Sequence, residues 1–338
     1  MKLPFTFGAR LAFRILFPGS VLALALWPPV TGAKDWLGVT LDDLALFSIL
    51  VVATGWLCSL ADQHIYMLLM GRRYWPASLT ELGLLWQRER LQRLHWRCGI
   101  TDAELRCLSL PERRAAERRQ REAELDRLEF PLGSDGDADD PPPRVVVAPT
   151  RLGNLLAAYE SYPLWKYGLD GPFYWPWLFV GLPKDLRDEL DERQAAVDGA
   201  VYVAFALGCA AVLLTIYAVH DLFAARAPLA GLAPGAKLAL AGATLAAGYV
   251  VYRVALRAHA QFGTLFCAVF DRFHRDIDVA AALRCAGEIR GAPDLSWGAE
   301  RYRNAARFLK WHRYRAAGAV ANLPLPNHLA TRRMAGEG

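Results

Sequence analysis

Few residues in this chain carry reactive groups at positions where chemistry would follow from placement. Asp62 and His64 fall in the last third of one apolar run, and His220 and Asp221 near the far end of another. Ionisable groups at membrane depth are costly and often mark ion or proton paths. These two pairs belong to opposite ends of their runs, so the sequence predicts two separate interfacial positions rather than one site. A proton path would also need acids nearer the middle of a run, and none is expected there. Downstream, Asp271, His274, Arg275 and Asp276 can be drawn as an acid/base cluster, although on a helix Asp271 and Arg275 are simply an i, i+4 pair. The remaining histidines show no HExxH spacing, and there is no GxSxG elbow, phosphate-binding loop or dinucleotide-binding glycine pattern. The six cysteines are scattered without a CxxC, which argues against zinc and against a disulfide framework. No catalytic residue, metal site or cofactor is predicted.

The elements that must hold these residues are apolar helices. Gly199 to Ala225 and Leu238 to Ala258 are each long enough to cross a bilayer core of about 30 Å and are joined by a short Pro/Gly connection. Leu44 to Met70 is a third such run. Ile15 to Val30 is a fourth, although its basic start and its tail Thr31-Gly32-Ala33 also fit a cleaved signal peptide. Mean hydropathy is only +0.14 at 54% hydrophobic residues, so the chain is expected to be part membrane and part water. Arginines and lysines flank the runs at one end: Arg10, Arg14, Arg72, Arg73, Lys184, Arg187, Arg253 and Arg257. By the positive-inside rule that end is cytoplasmic, together with both termini and the long middle segment. The net charge of +5 gives no nucleic-acid signature.

The middle segment, 71–198, divides into three parts. Ser78 to Phe130 reads as helical with breaks near Gly99 and Pro111, and Thr101 with Glu104 forms a capping-box signature. Glu112 to Glu129 interleaves acids with arginines, as a solvated helix face does. Residues 133–143 hold four aspartates without the ligand spacing of a calcium loop and read as a mobile linker. From 150 to 183 the chain is dense in rings, nine of the twenty-one residues from Tyr159 to Phe179. Such density fits either a membrane interface or an aromatic core under the spans. Pro163, Pro172, Pro176 and Pro183 predict short turns there rather than one continuous helix. Arg151, Trp165, Lys166, Tyr167, Asp170, Trp175 and Trp177 are the candidate lipid contacts, with Arg151 or Lys166 reaching lipid phosphate or pairing with Asp170.

Thr150-Arg151-Leu152-Gly153-Asn154, then Tyr162-Pro163, Tyr167-Gly168, Asp170 and Trp175-Pro176, resemble a segment of a family of uncharacterised bacterial inner-membrane proteins. The resemblance implies a bacterial membrane protein and no activity.

Lys184 to Asp198 reads as an amphipathic charged helix feeding the third run, and residues 259–338 as a helical tail. Within it, about Trp297 to Gly318, basic and aromatic residues alternate in a pattern suited to anionic lipid more simply than to nucleic acid. Gly208, Ala210, Ala211, Gly242, Ala246, Ala247 and Gly248 offer small faces for close helix contact. The resulting expectation is an all-α integral membrane protein. Residues 1–70 carry spans one and two, 199–258 carry spans three and four, and 71–198 with 259–338 form a helical cytoplasmic layer. The expected partners are the bilayer, anionic lipid, further copies of the chain and a cytoplasmic protein. Three functions compete: an oligomeric channel gated from the cytoplasmic helices, a non-catalytic scaffold, and an interfacial lipid-acting enzyme with Asp170 as its likeliest acid.

Overall fold

The computed structural model describes residue 8 and residues 11–37, 40–99, 101–131, 147–167, 169–223 and 232–277. The expected linker at 133–143 and the basic-aromatic helix near 297–318 lie outside the described residues. Among those described, every regular element is helical and none is a strand.

A π-helical turn, Ala12–Leu16, runs into α1, Phe17–Leu37, and α2 is Asp43–Leu60. Asp42 caps α2 by accepting from the Leu44 amide. The short α3, Asp62–Leu69, continues α2 after a one-residue break at Ala61. α4, Ala77–Cys98, α5, Asp102–Arg106, and α6, Leu110–Arg127, follow. The capping box of Thr101 and Glu104 forms as its spacing predicts, and Ser109 with Glu112 makes a second one. Glu112 accepts from both the hydroxyl and the amide of Ser109, which holds its carboxyl below the usual range. α7 is Arg151–Tyr167 and α8 is Gly171–Gly181. The prolines therefore do not reduce the aromatic segment to short turns. Pro172 stands in the first turn of α8, where no helical N–H is lost, and Pro163 and Pro176 are absorbed within α7 and α8.

Two 40-residue helices complete the fold, α9, Lys184–Phe223, and α10, Pro234–Phe273. Among the described residues four helices are long and apolar enough to cross a membrane, beginning at Ala12, Asp43, Lys184 and Pro234. At 1.5 Å per residue, α9 and α10 are about 60 Å long, twice the thickness of a hydrocarbon core. The two pack along each other, the apolar half of α9 also packs on α1, and the other half of α10 packs against α7 and α8. The end of the bundle where Arg14, Asp62, Asp198 and His259 lie is termed proximal here. The end at the α1–α2 and α9–α10 connections is distal.

The closest helix approaches rest on glycines other than most of those in the small faces singled out above. A Cβ on Gly19 would stand 2.1 Å from the Val51 carbonyl oxygen, and one on Gly55 would stand 2.0 Å from that of Ile15. One on Gly199 would reach 2.6 Å from the Phe13 carbonyl oxygen. Only glycine lets these backbones touch, and Thr54 donates across the same crossing to the Gly19 carbonyl at 3.1 Å. Gly248 does pack on Leu207, whereas Gly208 and Gly242 face open space. Gly55→Val is expected to separate α1 from α2 and lower stability in detergent by about 3 kcal/mol, the upper end of overpacking costs. An unchanged thermal midpoint would show that the crossing tolerates a side chain.

Candidate functional site

At the proximal end a polar cluster joins the first, third and fourth membrane-length helices to α3, the short helix that continues the second. α3 carries Asp62 and Tyr66, and α9 carries Asp198 and Tyr202, each pair at i, i+4 and hence on one helix face. The two helices run in opposite directions, so the pairs meet reciprocally. Tyr202 Oη donates to Asp62 Oδ1 at 2.8 Å, and Tyr66 Oη donates to Asp198 Oδ1 at 2.7 Å. Arg14 closes on the other oxygen of Asp198 as an ion pair. From α10, His259 Nε2 stands 3.1 Å from the Tyr66 hydroxyl. Because that hydroxyl gives its proton to Asp198, the arrangement calls for Nε2–H on His259 donating to the phenol oxygen. His259 Nδ1 is then a bare acceptor, and it is buried without a hydrogen-bond partner among the described residues. Asp198 and His259 are 6% and 3% exposed, so the hydrogen bonds are sheltered from competing water.

Carboxylate, phenol and imidazole thus stand in series across three helices. Such a chain fixes helix positions, and its groups are of the types that pass protons in membrane relays. Asp62 belongs to it, as a polar residue at the end of its apolar run, but His64 does not. His64 Nδ1 pairs with the Tyr74 hydroxyl at 2.6 Å, in the turn where Tyr74 itself takes a positive φ of 69°. The sequence reading missed Arg14, Tyr66, Asp198, Tyr202 and His259 as a group. The repeated Asp-x-x-x-Tyr at 62–66 and 198–202 was the available signal, but it becomes one only once the helices are known to be antiparallel neighbours.

His220 and Asp221 lie at the distal end, as expected, and remain apart from this cluster. Asp221 is ion-paired with Lys237 of α10, both side chains almost wholly buried, and His220 sits 3.4 Å from Asp221. Lys34 and Asp43 pair across the other distal connection.

The candidate lipid contacts of 150–183 distribute over two packed junctions. Arg151 forms a bidentate ion pair with Glu129, Nη2 to Oε1 at 2.6 Å and Nε to Oε2 at 3.2 Å, and Arg90 of α4 joins the same carboxylate at 2.8 Å. Asn154 is fully buried, accepting from the Ala148 amide at 2.6 Å and donating to Gln87 and the Ala148 carbonyl. A Cβ on Gly153 would meet the Met70 carbonyl oxygen at 2.8 Å, and the Leu152 amide donates to the Tyr252 hydroxyl. The Arg-Leu-Gly-Asn run therefore rivets the α4–α6 pair to α10.

At the second junction Tyr162, Lys166 and Tyr167 converge on Asp271, at 2.8, 3.1 and 2.5 Å, and Tyr167 stacks on His274 at 4.1 Å. Asp271 thus takes its described partners from α7 rather than from Arg275. The Tyr162 oxygen and then Asp271 raise the Lys166 ammonium above its usual range. Burial lifts the Glu160 carboxyl, opposed by Arg72. Asp170 is not paired with Arg151 or Lys166 in any described contact; it caps α8 through the Phe173 amide at 3.2 Å. Trp175 packs on Phe266 at 4.6 Å between ring centres, Trp165 is half-buried, and Trp177 is 41% exposed beside Tyr174. Among the described residues no group of three His, Cys, Asp or Glu side chains is placed to hold a metal.

The chain matches no protein-family model, no curated protein and no solved structure. What the fold defines is a class, that of an all-helical protein with four membrane-length apolar helices.

Proposed function

We propose that the chain is a subunit of an oligomeric membrane channel or pore, gated from the helical layer beyond the proximal end. The observation that carries this reading is the continuity of α9 and α10. Each runs unbroken from its apolar half into that layer, so a displacement there moves the membrane half as one rod. The proximal cluster is the fulcrum in this account, since it binds both rods to α3 and to Arg14 at the level where they leave the apolar bundle. Val212, Ile216 and Val219 on α9 and Leu245, Val250 and Val254 on α10 are exposed, leaving room for lipid or further copies. Arg14, Arg72, Arg73, Arg253 and Arg257 gather at the proximal end, which supports a cytoplasmic placement of that end. A bacterial inner membrane follows from the Thr150–Pro176 resemblance alone.

The deciding experiment is the mass of the detergent-solubilised particle, corrected for bound detergent, followed by ion flux in vesicles. A closed ring of four or more copies that conducts is the expected result. A monomer, or a ring without flux, overturns the channel reading and leaves a scaffold.

A further inference from the structure

We infer that α4 is an interfacial helix whose exposed apolar face lies in the anionic headgroup layer of the membrane on the proximal side. α4 buries Gln87, Leu91 and Leu94 toward α6 and the 147–154 segment. Leu79, Leu82, Leu85 and Trp86 occupy the opposite arc of its first half and are 47–66% exposed, and Trp96 follows on that arc beyond the charged pair Glu89 and Arg93. An apolar stripe of this size on a helix outside the apolar bundle needs a covering surface.

Two observations select lipid as that surface. The first is depth. Met70, at the end of α3, packs with Leu152 and Leu256, and Leu152 hydrogen-bonds Tyr252, so the chain leaves the bundle at the last apolar turns of α10. Only Gly71 to Pro76 separate that exit from α4, and Gly83 is pressed against Pro149 beside the same junction. The stripe is therefore tethered at the level where the apolar part of the bundle ends. The second is charge. Arg72 and Arg73 precede α4, and Arg88 and Arg97 lie within it beside Arg90, which pairs with Asp126 and Glu129, and Arg93, which pairs with Glu89. Basic residues near a membrane surface gain about 1 kcal/mol each from anionic lipid. Leucines and tryptophans on one side with arginines alongside are the composition of helices that lie in the plane of the interface.

The test uses the full chain in vesicles of phosphatidylcholine with phosphatidylglycerol. With the six native cysteines replaced by Ala, an environment-sensitive fluorophore is placed by Leu82→Cys, by Val250→Cys on the exposed face of α10, and by Arg118→Cys on α6. Quenching by lipids bearing a shallow nitroxide is expected to be several-fold stronger at 82 than at 118, and to weaken when phosphatidylglycerol is omitted. Strong quenching at 250 with solvent-like behaviour at 82 overturns the inference while leaving membrane insertion intact. A blue-shifted probe at 82 that lipid does not quench also overturns it, in favour of a protein surface. Equal quenching at 82 with and without phosphatidylglycerol overturns the assignment to anionic lipid. In the chain with its native cysteines, Trp86→Phe should remove a component of tryptophan fluorescence that the same lipids quench, and no such loss counts against the inference.

Discussion

Asp198→Ala is expected to lower the stability of the detergent-solubilised protein by about 3 kcal/mol, because the proximal cluster is built on this one carboxylate. Breaking a buried pair from one side typically costs about 3–5 kcal/mol, since the surviving charge is left uncompensated. The lower end applies because the Arg14 side chain remains 33% exposed and is partly solvated once released. Asp198 also accepts a hydrogen bond from the Tyr66 hydroxyl, and Tyr66 holds His259, so the loss reaches three further helices or turns. Tyr66→Phe removes both hydrogen bonds but keeps the ion pair, and its expected cost is about 1–2 kcal/mol, the scale of leaving a buried acceptor short of one donor. Thermal unfolding of the purified variants measures the order. Asp198→Ala equal to the unsubstituted chain would mean that the four helices are positioned by packing alone.

Lys237→Met should be comparably damaging at the distal end, by about 3–5 kcal/mol, through Asp221. Both side chains of this pair are nearly inaccessible, 1% and 3% exposed, so the surviving charge is poorly hydrated when its partner is removed. Each residue is also badly placed for its own helix. Lys237 stands in the first turn of α10, and Asp221 in the last turn of α9, where the macrodipole repels their charges. The pairing across the α9–α10 connection sets the two unfavourable positions against each other. The double variant Asp221→Leu with Lys237→Met is therefore expected to regain most of the lost stability, as apolar replacements of buried ion pairs often do. A double variant no better than Lys237→Met would show that the pair itself is not what closes this end of the hairpin.

The two predictions differ in how far the sequence foretold them. Asp221, with His220, was singled out at the edge of an apolar run but Lys237 was not, although the short connection places both residues at one end of the hairpin. Asp198 was passed over because it stands one residue before the third run, at the end of a charged stretch where acids are ordinary. Its burial depends on Tyr66, His259 and Arg14, which lie 132, 61 and 184 positions away, and no local pattern links residues that distant.

The helices themselves follow from the chain alone. Apolar runs of span length, the capping boxes at Thr101 and Ser109, and proline positions compatible with helix starts are local properties, and local properties set where helices begin and end. The aromatic segment shows the limit of that logic. Its prolines argued for turns, yet α7 and α8 form because ring packing on Phe266 and Phe270 outweighs the propensity cost. Which glycines allow backbones to touch, which carboxylate gathers four helices, and which side of α4 is left bare were decided only by tertiary structure. Each depends on what stands opposite a residue across a helix interface, and spacing along the chain carries no information about the opposite side.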